Sequence, residues 1–139
     1  MENSVPRGTK TRYMELKKYI REVPDYPNEG INFIDITTLL KEPEALAYVV
    51  DRICDFSKTK KITKIVSLES RGFIVGGAVA YNLKAGFVPI RKKGKLPAET
   101  ISEKYELEYG SDIIEIHIDA LNENDVATPL VKHMTRLSL

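Results

Sequence analysis

A chain of 139 residues can bury roughly two-thirds of its unfolded surface in one core and is short for two ordinary domains, so a single domain over 1–139 is expected. With 42% hydrophobic and 29% charged residues, and 21 Lys+Arg against 20 Asp+Glu, the composition excludes a disordered or fibrous chain and gives no electrostatic reason for a nucleic-acid partner. No apolar run nears the ~20 residues of a membrane span, the polar start MENSVPRGTKTRY has no signal-peptide core and is expected to be flexible over 1–10, and the single Cys54 cannot form an internal disulfide; a cytoplasmic protein without a membrane partner is expected.

Leu16, Tyr19, Ile20 and Val23 fall at i, i+3, i+4 and i+7, which predicts an amphipathic helix from about Thr11 until Pro24 forbids its continuation. A loop with Pro24, Pro27 and Gly30 follows. Pro43 suits the first turn of a second helix, where its missing N–H costs nothing, with Leu46, Val49, Val50, Ile53 and Cys54 as a stripe that should face a sheet. Residues 61–68, KITKIVSL, read as a strand, 72–84 as a helix in which Gly76, Gly77, Ala78 and Ala80 permit close backbone approach, and 86–90 as the next strand. Strand, helix and strand within about 30 residues make a βαβ unit with parallel pairing and a right-handed crossover. An α/β fold follows. After the cationic loop RKKGKLPAE come two alternating segments, YELEY and DIIEIHI, joined at Gly110 and Ser111. They predict a half-buried antiparallel hairpin with Ile114, Ile116 and Ile118 on one face and Glu115 and His117 on the other. The tail predicts a short helix capped by Thr128, with Pro129 first and Leu130, Met134 and Leu137 on one side.

In SLESRGFIVGGAVAY, Glu69, Ser70, Arg71 and Gly72 stand at a strand-to-helix junction. The carboxyl ends of strands in open α/β sheets form the ligand crevice, and a helix N-terminus offers free N–H groups and partial positive charge to an anion. Arg71 adds a full charge and a bidentate fork, although an arginine that merely caps its own loop is the plain alternative. Arg91, Lys92, Lys93 and Lys95 follow the next strand of the same unit and so emerge at the same edge of the sheet. A charge run alone is ordinarily a solvated loop, but two cationic clusters converging on one crevice point to a phosphate or pyrophosphate site.

Three segments, VPDYPNEGINFIDIT from Val23 to Thr37, SLESRGFIVGGAVAY from Ser67 to Tyr81, and VPIRKKGKLPAETISEKYELEYG from Val88 to Gly110, resemble three successive signatures of the adenine phosphoribosyltransferases in order and spacing. The resemblance covers about residues 12 to 125. It implies a parallel-sheet phosphoribosyltransferase-type core with a small N-terminal hood and the antiparallel hairpin. It also implies transfer of phosphoribosyl from phosphoribosyl pyrophosphate to adenine, giving AMP and pyrophosphate. Mg2+ would be bound with the pyrophosphate substrate rather than by metal ligands of the chain, and the protein would be a homodimer. Carried over residue by residue, Phe33 is similar to the aromatic that stacks on adenine, and Asn32 and Ile34 to neighbours whose main-chain groups read the base edge. Glu69 and Ser70 resemble the pyrophosphate loop, and Arg71, Arg91 and Lys95 match cationic contacts to the diphosphate. Glu108 matches the glutamate proposed as acid/base partner of the purine, and Tyr109 lies at the base of the closing loop. For Glu108 an exposed ladder residue, and for Phe33 a core residue, are the readings without the resemblance.

After the hairpin the pattern departs. Phosphoribosyltransferases of this type continue with a hydrophobic strand ending in two adjacent acidic residues and a Thr/Gly-rich loop, which hold the ribose hydroxyls and the 5′-phosphate. Here Asp125 leads into VATPLVKHMTRLSL, an atypical tail over 126–139. A C-terminally truncated core is therefore expected, with slow turnover, since holding the ribose in line is worth several kcal/mol. A non-catalytic adenine-binding or dimerising module is the alternative. An RNA-binding module fits poorly, because the net charge is near zero and no further aromatic accompanies Phe33 as a platform.

Overall fold

The structure, a computed structural model, describes residues 13–107 and 110–131, and the chain forms two compact units that divide at Tyr48 and Val49, within one helix. Residues 1–10, expected to be flexible, lie outside the described residues.

In the first unit a single 3-10 turn, Leu16–Tyr19, buries Leu16. The chain then extends as β1 (Arg21–Val23), which pairs antiparallel with β2 (Phe33–Asp35). Over the described residues the helix predicted from Thr11 is thus one turn and a strand. Pairing overrides the helical periodicity because Arg21 stands opposite Asp35, whose Oδ2 accepts from its Nε at 3.0 Å and its Nη2 at 2.6 Å. Oδ1 of Asp35 accepts the N–H and hydroxyl of Thr37 at 2.9 and 2.6 Å, where α1 (Thr37–Leu40) begins. The Thr37 hydroxyl first, then Arg21, holds the Asp35 carboxyl down to about 2, as hydrogen bonds to the charged form must. Pro43 opens α2 (Pro43–Ser57) as predicted. Of its stripe, Val49, Val50, Ile53 and Cys54 are buried and Leu46 is half-buried. Burial, then the charges of Asp51 and Asp55, pushes the Cys54 thiol up to about 11.

The second unit contains the predicted βαβ element: β3 (Lys64–Leu68), α3 (Arg71–Leu83) and β4 (Gly86–Lys92), with β3 and β4 parallel from Lys64↔Gly86 to Leu68↔Ile90. Ile65, Val66 and Ser67 are buried in succession, the pattern of a strand covered on both faces. A Cβ added to Gly76 would stand 2.8 Å from Phe87 Cε2 and 3.1 Å from Ser67 Cβ, so α3 approaches the sheet as closely as the small residues suggested. Gly77 differs: a Cβ there would meet nothing within 4 Å.

The full sheet runs β5-β6-β4-β3-β7, with β5 at Thr100–Leu107, β6 at Gly110–His117 and β7 at Ala127–Pro129. β5 and β6 form the predicted hairpin, paired from Thr100↔His117 to Leu107↔Gly110, but β6 joins β4 only at Arg91↔Glu115 and Lys92↔Ile114. Both faces of β6 are partly covered: Ile114, Ile116 and His117 are half-buried, Glu115, expected on the solvent side, is only 9% exposed, and Ile118 lies beyond the strand and is exposed. β7 lies parallel to β3, Lys64↔Ala127 to Val66↔Pro129. The helix predicted with Thr128 as cap and Pro129 first instead begins at Leu130, after a strand at 127–129 in which Thr128 is buried. Pro129, lacking an N–H, is tolerated because β7 is an edge among the described residues. Met134 and Leu137 lie outside the described residues. No described helix is long and apolar enough to cross a membrane.

Candidate functional site

β3 and β4 run parallel, so the segments that follow them leave the sheet at the same edge, where α/β proteins hold ligands. After β3 come the cis peptide Glu69–Ser70 and then Arg71, the first residue of α3 and exposed. The helix N-terminus and the guanidinium both place positive potential at this edge. After β4 the cationic loop is folded back on Glu69. Oε2 of Glu69 accepts from Arg91 Nε at 2.9 Å and pairs with Nη2 at 2.8 Å, while Oε1 accepts the Lys92 N–H at 2.8 Å. The Lys92 N–H first, then Arg91, holds the Glu69 carboxyl below the usual carboxylate range, and the charge of Lys95 acts in the same direction. Glu69, Arg91 and Lys95 are thus brought together. Both carboxylate oxygens of Glu69 are engaged, Oε2 by the Arg91 guanidinium and Oε1 by the Lys92 N–H.

The loop turns tightly at Lys92–Lys95. Lys95 N–H donates to Lys92 O at 3.2 Å, and Gly94 sits at φ +80°, the left-handed third position of a type II turn that glycine fills without strain. Lys92 Nζ pairs with Asp112 at 3.0 Å, which raises the lysine and lowers the aspartate. Among the described residues, Lys93 and Lys95 make no ion pair and are exposed. The arrangement presents Arg91 at fixed orientation beside loose ammonium groups, a combination suited to an anion with several oxygens.

The expected base-binding residues lie in the first unit. Phe33 is half-buried on β2, between the exposed Asn32 and Ile34. The Tyr26 ring meets it edge-on, centroids 5.2 Å apart at 76°, which orients Phe33 without providing a second stacking plane. Asn32 Nδ2 donates to Glu22 Oε2 at 3.0 Å, so its side chain is tied to β1. The loop before it is closed by Gly30 N–H donating to Asp25 Oδ1 at 2.8 Å and Tyr26 N–H to Ile31 O at 3.1 Å. Glu108 and Tyr109, expected as the acid/base residue and its neighbour, lie outside the described residues. Sequence reasoning missed the supporting carboxylates Asp35 and Glu115. Asp35 carries a readable signal, an Asp two residues before a helical Thr; Glu115 carries none, since alternation assigns it to solvent.

No protein-family model matches the chain. It is 57% identical over 112 residues to an adenine phosphoribosyltransferase of Nitrosomonas europaea, covering 81% of this chain and 64% of that protein. The crystal structure of adenine phosphoribosyltransferase from Rhodothermus marinus superposes with a TM-score of 0.77 at 52% identity, covering 82% of this chain and 65% of that one. That from Saccharomyces cerevisiae, complexed with adenine and an imino-altritol bisphosphate, gives 0.74 at 38% identity, covering 82% and 67%. The chain thus spans about 64% of the length of the curated relatives it matches.

Proposed function

The chain belongs to the adenine phosphoribosyltransferase family, a family of pentosyl-transferring enzymes, and from that premise we propose that it serves purine salvage by binding adenine and phosphoribosyl pyrophosphate for conversion to AMP and pyrophosphate. The observation that carries the proposal is the Glu69–Arg91 brace at the end of β3 and β4, with Lys95 beside it and Arg71 opening α3. Pyrophosphate departs as the ribose acquires oxocarbenium character, so cations held on the leaving group lower the barrier beyond any tightening of the ground state. A guanidinium already oriented by Glu69 makes that contribution without reorganising. Phe33 supplies the stacking face for adenine, with Asn32 and Ile34 at its edge, as the adenine bound in the yeast relative makes chemically apt.

Magnesium enters as the counter-ion of the diphosphate and is written as part of that substrate. Among the described residues no group of three or more His, Cys, Asp or Glu side chains could hold a metal ion. Cytoplasmic location and a homodimer complete the reading. Residues 126–139 contain no adjacent acidic pair and no Thr-Gly run, so turnover by these 139 residues alone is proposed to be slow. The test is AMP formation by the purified chain with magnesium, adenine and phosphoribosyl pyrophosphate, with Arg71→Ala as control for contaminating host enzyme. The expected rate is far below about 1 per second. A rate at or above that level which disappears in Arg71→Ala would contradict slow turnover.

A further inference from the structure

Glu115 is a buried charged side chain to which the proposed chemistry gives no role. It stands on β6 opposite Arg91 of β4 and Ser102 of β5, and is 9% exposed. It lines a cleft of about 230 Å³ with Ile90, Ile101, Ile114 and Ile116 and with Ser102 and Glu103. A carboxylate so largely removed from water is costly unless a donor compensates it. The compensating donor is a main-chain group. Oε2 of Glu115 accepts the N–H of Gly94 at 3.0 Å, at the left-handed residue of the Lys92–Lys95 turn.

We propose that Glu115 is a positioning residue for diphosphate binding: it holds the Lys92–Lys95 turn from beneath by its bond to Gly94, as Glu69 holds Arg91 and Lys92 from the side. This rests on the pyrophosphate reading of the site. Two carboxylates, one just after β3 and one on β6, take main-chain N–H groups of neighbouring residues, Lys92 by Glu69 and Gly94 by Glu115. Among the described residues β6 pairs with β4 at Arg91 and Lys92, between the two points. Fixing the turn at both points before an anion arrives removes much of the ordering entropy that binding would otherwise oppose. Neither Glu69 nor Glu115 need touch the anion, which their charge would repel.

The experiment follows the Gly94 amide by hydrogen exchange in 15N-labelled protein and, in the same samples, titrates magnesium pyrophosphate by calorimetry. In the wild type the Gly94 N–H should exchange at least about 10-fold more slowly than an unstructured glycine, the expectation for a hydrogen-bonded amide. Glu115→Ala should remove that protection and weaken pyrophosphate several-fold, while the amides of Val66 and Val88 in the core stay protected. Glu115→Gln keeps a carbonyl oxygen for the bond and should restore both. An unprotected Gly94 in the wild type, a measurement independent of whether any variant folds, would overturn the inference. So would Glu115→Ala with unchanged pyrophosphate affinity, or Glu115→Gln as defective as Glu115→Ala. If the wild type shows a protected Gly94 but no pyrophosphate binding, the reading of the site fails and takes this role with it, a result separable from the others.

Discussion

The βαβ element and the hairpin beside it belong to one sheet but are held by opposite means. β3, α3 and β4 are fixed by apolar burial: Ile65, Val75 and Val79 are almost wholly inaccessible, and Gly76 lets α3 rest against Phe87 and Ser67. The hairpin of β5 and β6 pairs with β4 at two positions and is further tied to β4 and the loop after it by polar contacts, Lys92 with Asp112, Lys93 N–H with Ile113 O and Gly94 N–H with Glu115. The first element supplies a rigid edge and the second a support for the loop that stands on that edge. Stability and loop placement are therefore separable here: substitutions in one should leave the other's property largely intact.

The largest effect should come from Ile65→Ala, which removes a fully buried side chain from the central strand and should cost about 2–5 kcal/mol in denaturant unfolding. A cost under about 1 kcal/mol would mean that β3 is not the core. Gly76→Ala should destabilise by about 1–3 kcal/mol, because its Cβ would enter the space of Phe87 and the helix must shift. One position on, Gly77→Ala should raise stability by up to about 1 kcal/mol, the helix preference for alanine, since nothing crowds that site. Equal responses of Gly76 and Gly77 would dissolve the distinction between packed and open faces of α3.

Smallest in global stability, and most informative about the hairpin, is its response to pH. The Lys92 contact first, then the Ile113 N–H, lowers the Asp112 carboxyl, so its contribution is complete above the ordinary aspartate value of about 3.9. It is lost as pH falls through the lowered value. Protection from exchange of the Ile113 amide, which donates to Asp112 Oδ1 at 2.9 Å, and of the Lys93 amide, which donates to Ile113 O at 3.1 Å, should therefore be lost in acid before that of the β3 amides. In Asp112→Asn that early step should be absent.

How far the sequence reached follows the same division. The βαβ element was legible because burial on two faces leaves a continuous apolar run and a helix of small residues, and the cationic loop because its charges are consecutive. The first strand pair was not: Leu16, Tyr19, Ile20 and Val23 have helical spacing, yet the partner that makes residues 21–23 a strand is Asp35, remote in the chain and hydrogen-bonded to Arg21. Glu115 was misassigned for a related reason. Strand alternation predicts two faces but not that both are partly covered, and the acceptor needed by Gly94 is invisible until the loop is folded. Thr128 and Pro129 read as a helix start because their residue types suit one, whereas pairing with β3 places them in β7.

The central claim is that Arg91, fixed by Glu69, forms part of a diphosphate site, and a calorimetric titration of wild type and Arg91→Met with magnesium pyrophosphate at low and high salt tests it most directly. The account predicts saturable binding by the wild type that weakens as salt rises, and a loss of about 10-fold or more in Arg91→Met, since a charge-assisted bond worth about 1.5–3 kcal/mol is removed. Equal affinity of the two proteins, or no binding by the wild type at low salt, would contradict it.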